Sequence, residues 1–241
     1  MRLCLALVAL LAAAAPPPAR AADPVDTALV LVTDVSRSID DSEFKLEKQG
    51  TAAALTDPKV LAAIRGGMTG AIAVAYVEFA GGTEVRTVID WTVIRDAASA
   101  RDFVGALVAA PRSFAGRTAI GAGIDGGVQL LASAPPATRR VIDVAGDGTN
   151  NAGRAVTDAR DDALHAGVTI NGLAIINDHP VSWTFAHVQP PGGLAEYYRQ
   201  NVAGGPAAFV TEVHDFHDFG AAMTRKLVNE IAAISRTGSK S

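Results

Sequence analysis

The sequence predicts an α/β fold: a doubly wound, mostly parallel central sheet with helices on both faces and one antiparallel edge strand. Three observations carry this expectation. Short Val- and Ile-rich runs alternate with longer helical patterns along the whole chain. Most of those runs are apolar at successive positions, as in strands covered on both sides. A single Gly-Gly-Thr connection, residues 81–83, joins two of them closely enough for a hairpin.

The strands are expected at residues 27–33, 71–80, 85–90, 140–144, 168–176 and 208–213, with the hairpin between the second and third. Helices are expected at 41–55, 98–108, 119–131, 154–165, 194–201 and 216–234. Strand, helix, strand in repetition places parallel strands side by side through right-handed crossovers, which yields helices on both faces of the sheet. No Pro/Ser-rich linker, charge run or internal repeat divides the chain after Asp26, so residues 22–241 read as one domain.

The first 21 residues read as a secretory signal peptide. Arg2 precedes an apolar stretch over residues 3–15, then prolines, then Ala19-Arg20-Ala21, a small-residue cleavage pattern with the cut expected after Ala21. That stretch is too short to span a bilayer, and no later segment has the length of uninterrupted apolar sequence that a span needs. The expected location is therefore the periplasm or the medium. The only cysteine, Cys4, leaves with the leader, so neither disulfides nor thiolate metal ligands remain. Without Arg2 and Arg20 the chain keeps 19 basic against 25 acidic residues, a net charge of −6, which argues against a nucleic-acid partner.

Functional groups in such a sheet gather at the carboxyl ends of the strands. The stretch Val30-Leu31-Val32-Thr33-Asp34-Val35-Ser36-Arg37-Ser38 runs from an apolar strand into oxygen-bearing side chains at every second position. An extended segment would turn Asp34, Ser36 and Ser38 to one side. A second apolar strand runs into Asp147 in "VIDVAGDGTNN", with Asn150 and Asn151 behind it. Thr118, in "FAGRTAIGAGI", offers a hydroxyl at a helix start. Two carboxylates and three hydroxyls from three loops suit a hard divalent cation. Taken singly, Asp34, Ser36, Ser38 and Thr118 read as helix caps, and Asp147-Gly148 as a turn. Only the combination is specific.

Asp34-x-Ser36-x-Ser38 followed by Thr118 and Asp147 resembles the metal-ion-dependent adhesion site of the von Willebrand factor type A (vWA) family, and all five positions match. The segments "AIAVAYVEFA", "RRVIDVAGDGTNNAG", "VTINGLAI" and "GGPAAFV" further resemble an uncharacterised family of secreted bacterial proteins with this fold. The resemblance implies a Rossmann-like fold, with Ser36, Ser38 and Thr118 as direct or switchable ligands and Asp34 and Asp147 often acting through water. It also implies magnesium, with manganese or calcium as alternatives, and an unknown protein partner whose Asp or Glu completes the cation. Neutral hydroxyl ligands leave a cation less than fully compensated, which favours one more anionic oxygen.

Other features carry less. Gly121-x-Gly123-x-x-Gly126 imitates a dinucleotide fingerprint but follows a loop and lies within a helical pattern, which reads as close helix packing. His214 and His217 are spaced for a transition metal, yet Asp215, Phe216 and Asp218 favour a capped helix start. Asp143, inside an apolar strand, must be paired: it either braces the metal loops or meets an arginine or a backbone amide. Trp183 and Phe185 belong to an irregular stretch that reads as partner-facing or, more simply, as packing over the sheet edge. The competing functional class is a metal-assisted hydrolase or phosphatase. Against it stand the lack of a Gly-x-Ser-x-Gly elbow, of a phosphate loop with its lysine, and of a histidine placed beside the five site residues. The sequence therefore points to a binding module and not to an enzyme.

Overall fold

A computed structural model describes residues 23–176 and 190–232. In chain order the strands are β1 (Val25–Asp34), β2 (Ile72–Phe79), β3 (Val85–Ile94), β4 (Ala137–Gly146), β5 (Thr169–Ile175) and β6 (Val210–Val213). The helices are α1 (Asp41–Thr56), α2 (Pro58–Arg65), α3 (Ala97–Ala109), α4 (Ile120–Leu131), α5 (Val156–His165), α6 (Leu194–Asn201) and α7 (Phe219–Ala232), with a 3-10 turn at Phe216–Asp218. The signal-peptide residues, Trp183, Phe185 and the last two residues of the expected C-terminal helix lie outside the described residues.

The six strands form one sheet in the order β3-β2-β1-β4-β5-β6. Every neighbouring pair is parallel except β2 with β3. The expected α/β fold with one antiparallel edge strand is therefore the fold observed. The hairpin closes through Ala80 N donating to Glu84 O at 2.9 Å, and the Glu84 carboxylate accepts from Gly81 N at 2.8 Å. β1 and β4 lie at the centre, so their carboxyl ends lie side by side.

Strand alternation explains the two layers. Leu29 and Leu31 of β1 join Tyr76, Leu55, Ile64, Phe103, Phe219 and Leu227 in one core beneath α1, α2, α3 and α7. Val30 and Val32 point the other way and pack with Phe79, Ile120, Ile124, Val144 and Tyr198 beneath α4, α5 and α6. Each such side chain contributes about 1.5–3 kcal/mol by leaving water. Gly121, Gly123 and Gly126 belong to α4, as the packing reading expects: a Cβ on Gly123 would stand 2.8 Å from Phe79 Cδ1 and 3.0 Å from Val32 Cγ1.

Helix α2 is an addition to the expected elements. Asp57 caps it by accepting from Lys59 N at 2.7 Å, Pro58 takes the first turn, and Val60, Leu61 and Ile64 are buried. Proline fits there because the first turn needs no backbone donor. The C-terminal helix also starts later than expected, at Phe219, after the 3-10 turn. Its buried side holds a polar network. Lys226 Nζ stands 2.6 Å from Asp143 Oδ1 and 3.6 Å from Glu230 Oε2. Asn171 of β5 donates to Glu230 Oε1 and accepts from Phe209 N at 3.1 Å, while Arg139 donates to Glu230 O at 2.6 Å. Asp143 thus meets a lysine, where an arginine or amide was the expected alternative to bracing the loops. Burial raises its pKa to about 7, against the lowering effect of Lys226.

Candidate metal centre

β1 delivers Asp34 to the carboxyl edge, and there the chain stops being extended. Ser36 N donates to Asp34 Oδ1 at 2.7 Å, and Ile39 N to Ser36 O at 3.1 Å. The loop therefore gathers its oxygens by a tight turn, not by strand alternation. Such a turn suits Asp, whose short side chain satisfies a backbone donor two residues on. Helix α1 is capped separately: Asp40 accepts from Ser42 N and Glu43 N, and Glu43 returns a bond to Asp40 N. Asp34, Ser36 and Ser38 are thus free of the capping role that each could fill alone.

Two further loops arrive beside this one. β4 ends at Gly146, where a Cβ would stand 2.8 Å from the Tyr198 hydroxyl and 3.0 Å from Asp34 Cβ. Glycine is required there to bring Asp147 alongside Asp34. Thr118 precedes α4, whose N-cap position is Ala119 with no side-chain cap. The Thr118 hydroxyl turns to the site. It donates to Ser36 Oγ at 3.1 Å, Ser36 Oγ and Ser38 Oγ are 2.9 Å apart, and Ser38 donates to Asp147 Oδ1 at 2.9 Å. Four side chains are thus linked in series, and Asp34 joins them through the backbone N of Ser36. Asp34, Ser36, Thr118 and Asp147 are buried, and Ser38 is partly exposed, which opens the set to solvent on one side.

The residues that hold these loops extend beyond the five. Asn151 Oδ1 accepts from Thr118 N at 3.0 Å while Asn151 N donates to Thr118 O at 2.8 Å, a two-way clamp. Asn150 Oδ1 accepts from Gly121 N at 3.1 Å, and Asn150 N donates to the Tyr197 hydroxyl at 3.1 Å. Arg112, which the sequence did not single out, donates to Val35 O at 2.8 Å and Ser36 O at 2.6 Å. Beneath the set, Glu47 of α1 and Tyr198 of α6 approach from opposite faces of the sheet. Burial, then the charges of Asp34 and Asp147, push both Glu47 and Tyr198 well above their ordinary pKa values. Glu47 lies on the buried stripe of α1 with Glu43, Phe44 and Thr51.

A donor set of two carboxylates and three hydroxyls, all hard oxygens, fits a divalent cation such as magnesium. Among the described residues no group of three or more His, Cys, Asp or Glu is arranged to hold a metal. At the other candidate, Asp215 caps the 3-10 turn by accepting from His217 N at 2.8 Å, as the helix-start reading expects, and His214 Nε2 lies 3.8 Å from Glu212 Oε2.

Known structures share the fold. Proximal thread matrix protein 1 from the mussel byssus, solved with a zinc-occupied metal-ion-dependent adhesion site, is 18% identical with a TM-score of 0.61 over 86% of this chain and 46% of that one. The pilus adhesin SpaC from Lactobacillus rhamnosus GG is 17% identical with a TM-score of 0.58 over 87% of this chain and 30% of that one. A von Willebrand factor type A protein from Catenulispora acidiphila is 17% identical with a TM-score of 0.57 over 86% and 42%. This chain therefore spans less than half the length of each. The fold is of the vWA type. No curated protein matches the sequence. Residues 24–235 match the sequence profile of one family over nearly all of the chain, which places this protein among the DUF1194 proteins, a family described as of unknown function.

Proposed function

We propose that the chain is an exported, metal-dependent protein-binding module of the adhesion type. In this reading Asp34, Ser36, Ser38, Thr118 and Asp147 hold one divalent cation, magnesium foremost and manganese or calcium as substitutes, and an Asp or Glu carboxylate of a partner completes it. The observation that carries the reading is the unbroken hydrogen-bonded set running Thr118, Ser36, Ser38, Asp147 across three loops. When bound, the cation supplies a hard positive centre for a carboxylate oxygen. The three hydroxyls donate lone pairs without adding charge, and the partly exposed Ser38 marks the side from which a partner approaches. The zinc-occupied adhesion site of the mussel protein and the adhesin among the similar structures support the same reading. Export rests on the leader at residues 1–21, with residues 22–241 as the single domain. No helix among the described residues is long and apolar enough to cross a membrane.

Thermal melting in magnesium or manganese tests the metal step. At a hundredfold excess over Kd the wild type should gain on the order of 2–3 kcal/mol, and Asp34→Ala should gain nothing while keeping the α/β fold by circular dichroism. Equal gains in both proteins would remove Asp34 from the site. Removal of metal with EDTA should also release any bound partner, and a complex indifferent to verified metal removal would refute the adhesion-type mechanism.

A further inference from the structure

Beside the five-residue set, between the first two turns of α1 and the end of α3, runs a groove of about 340 Å³. Its floor is Phe44, whose ring carries Lys48 Nζ at 4.9 Å and the Arg112 guanidinium carbon at 5.6 Å. Lys48 donates to Ala110 O across the groove, Lys45 is exposed on its rim, and Val108 forms the opposite wall. Val108 is 52% exposed, one of two large apolar side chains so exposed among the described residues. Asp41 also lines the groove and pairs with Arg112 at 3.6 Å. Lys48 is buried with the charge of Glu78 beside it, and Arg112 faces Asp40, Asp41 and Glu47, so the strip is mainly apolar with Lys45 as the exposed cation on its rim. Arg112 belongs to both places, since the same guanidinium that covers Phe44 holds the carbonyls of Val35 and Ser36.

From this juxtaposition we infer that the groove is the second half of the binding edge and receives an acidic, apolar peptide segment of the partner protein. The inference rests on the metal-dependent reading above for the first contact. One acidic side chain of the segment completes the cation. A neighbouring side chain of leucine size lies against Phe44 and Val108, and a further acid faces Lys45. Charge complementarity selects this occupant. A polyanion such as nucleic acid would meet the net negative charge of the rest of the chain, whereas a short segment with one or two acids meets only the rim at Lys45. The apolar wall then separates partners that share an acid, because a leucine-sized group next to the anchoring contact gains by leaving water.

Selection from a phage-displayed random peptide library on the immobilised protein in manganese, with elution by EDTA, tests this. Wild type should enrich peptides holding Asp or Glu with Leu, Ile, Met or Phe within two positions. Val108→Asp should return the apolar preference to library level, and Lys45→Glu should remove the second acid. Both variants should still yield EDTA-eluted acidic peptides, and both should melt as wild type does, since each change is at the surface. For a synthetic peptide of the winning sequence, Val108→Asp should raise Kd roughly five- to tenfold. An apolar preference that survives Val108→Asp overturns the groove while leaving the metal reading intact. If EDTA elutes no more than buffer, the metal reading fails, and the groove then stands or falls on the Val108 and Lys45 dependence alone.

Discussion

The hydroxyl of Thr118 donates to the hydroxyl of Ser36 at 3.1 Å, joining the loop before α4 to the turn after β1. If Thr118 is a ligand, its hydroxyl is worth more with metal than without. Thr118→Ala should weaken manganese binding about tenfold or more by calorimetry, equivalent to about 1.4 kcal/mol. The metal-free protein should lose only about 0.5–1.5 kcal/mol, the usual value of one hydrogen bond. Thr118→Ser should bind nearly as the wild type does. Unchanged affinity in the alanine variant would exclude Thr118 from the site.

Asp143 governs part of the pH dependence. Its folded pKa of about 7 lies above the ordinary value of 3.8, so the native state keeps a proton that the unfolded chain has released. The stability this gives is complete below pH 4, declines as pH rises to 7 and is flat beyond. The full span is on the order of 4 kcal/mol. In denaturant melts of the metal-free protein across this range, the stability of wild type relative to Asp143→Asn should fall as pH rises from 4 to 7. Glu47, raised in the same direction, would leave a residual slope in that variant. Identical pH slopes between 4 and 7 in wild type and Asp143→Asn would contradict the assignment.

Lys226 is sealed between two acids, so its removal leaves Asp143 and Glu230 facing one another without a counter-charge. Lys226→Met should cost about 3–5 kcal/mol, read as a lower urea midpoint. Neutralising the acids in the same background, with Asp143→Asn and Glu230→Gln, should restore part of it. A Lys226→Met protein as stable as wild type would show that the network adds nothing to the seat of α7.

Two helical glycines should respond in opposite directions. A Cβ at Gly123 would press on Phe79 and Val32, whereas one at Gly105 meets nothing within 4 Å. Gly123→Ala should lose about 1–2 kcal/mol, because overpacking outweighs the gain in helix propensity. Gly105→Ala should gain about 0.5–1 kcal/mol. Melting temperatures of the pair decide both statements.

Much of the architecture was legible because β1, β2 and β5 bury both faces. The apolar runs of β1 and β2 have no polar face to conceal, so the parallel core announces itself. The five oxygen-bearing residues were legible by type and order, although the turn that gathers them was not: alternation in a sequence does not reveal where a strand ends. Helix α2 was missed because Asp57-Pro58 abuts α1 and reads as a stop as readily as a new start. Arg112, Glu47 and Tyr198 escaped for a different reason. Each acts through neighbours distant in sequence, and a lone arginine, glutamate or tyrosine carries no mark of what it will touch. The same holds for Asp143, whose need for a partner was plain while the identity of that partner was not.

The routes by which the described chain enters and leaves the domain have a practical consequence. Val25 N bonds to Pro136 O beside the start of β4, and Glu230 near the end of α7 is held by Arg139 in the first part of the same strand. Both described ends therefore lie at the amino edge of the sheet, across the molecule from Asp34 and Asp147. A bead, a surface or a fused domain attached through either end would leave the opposite edge turned outward. Tension drawn through both ends would load β1, β4 and α7 at that edge first, with the three loops and Arg112 outside the direct line of force.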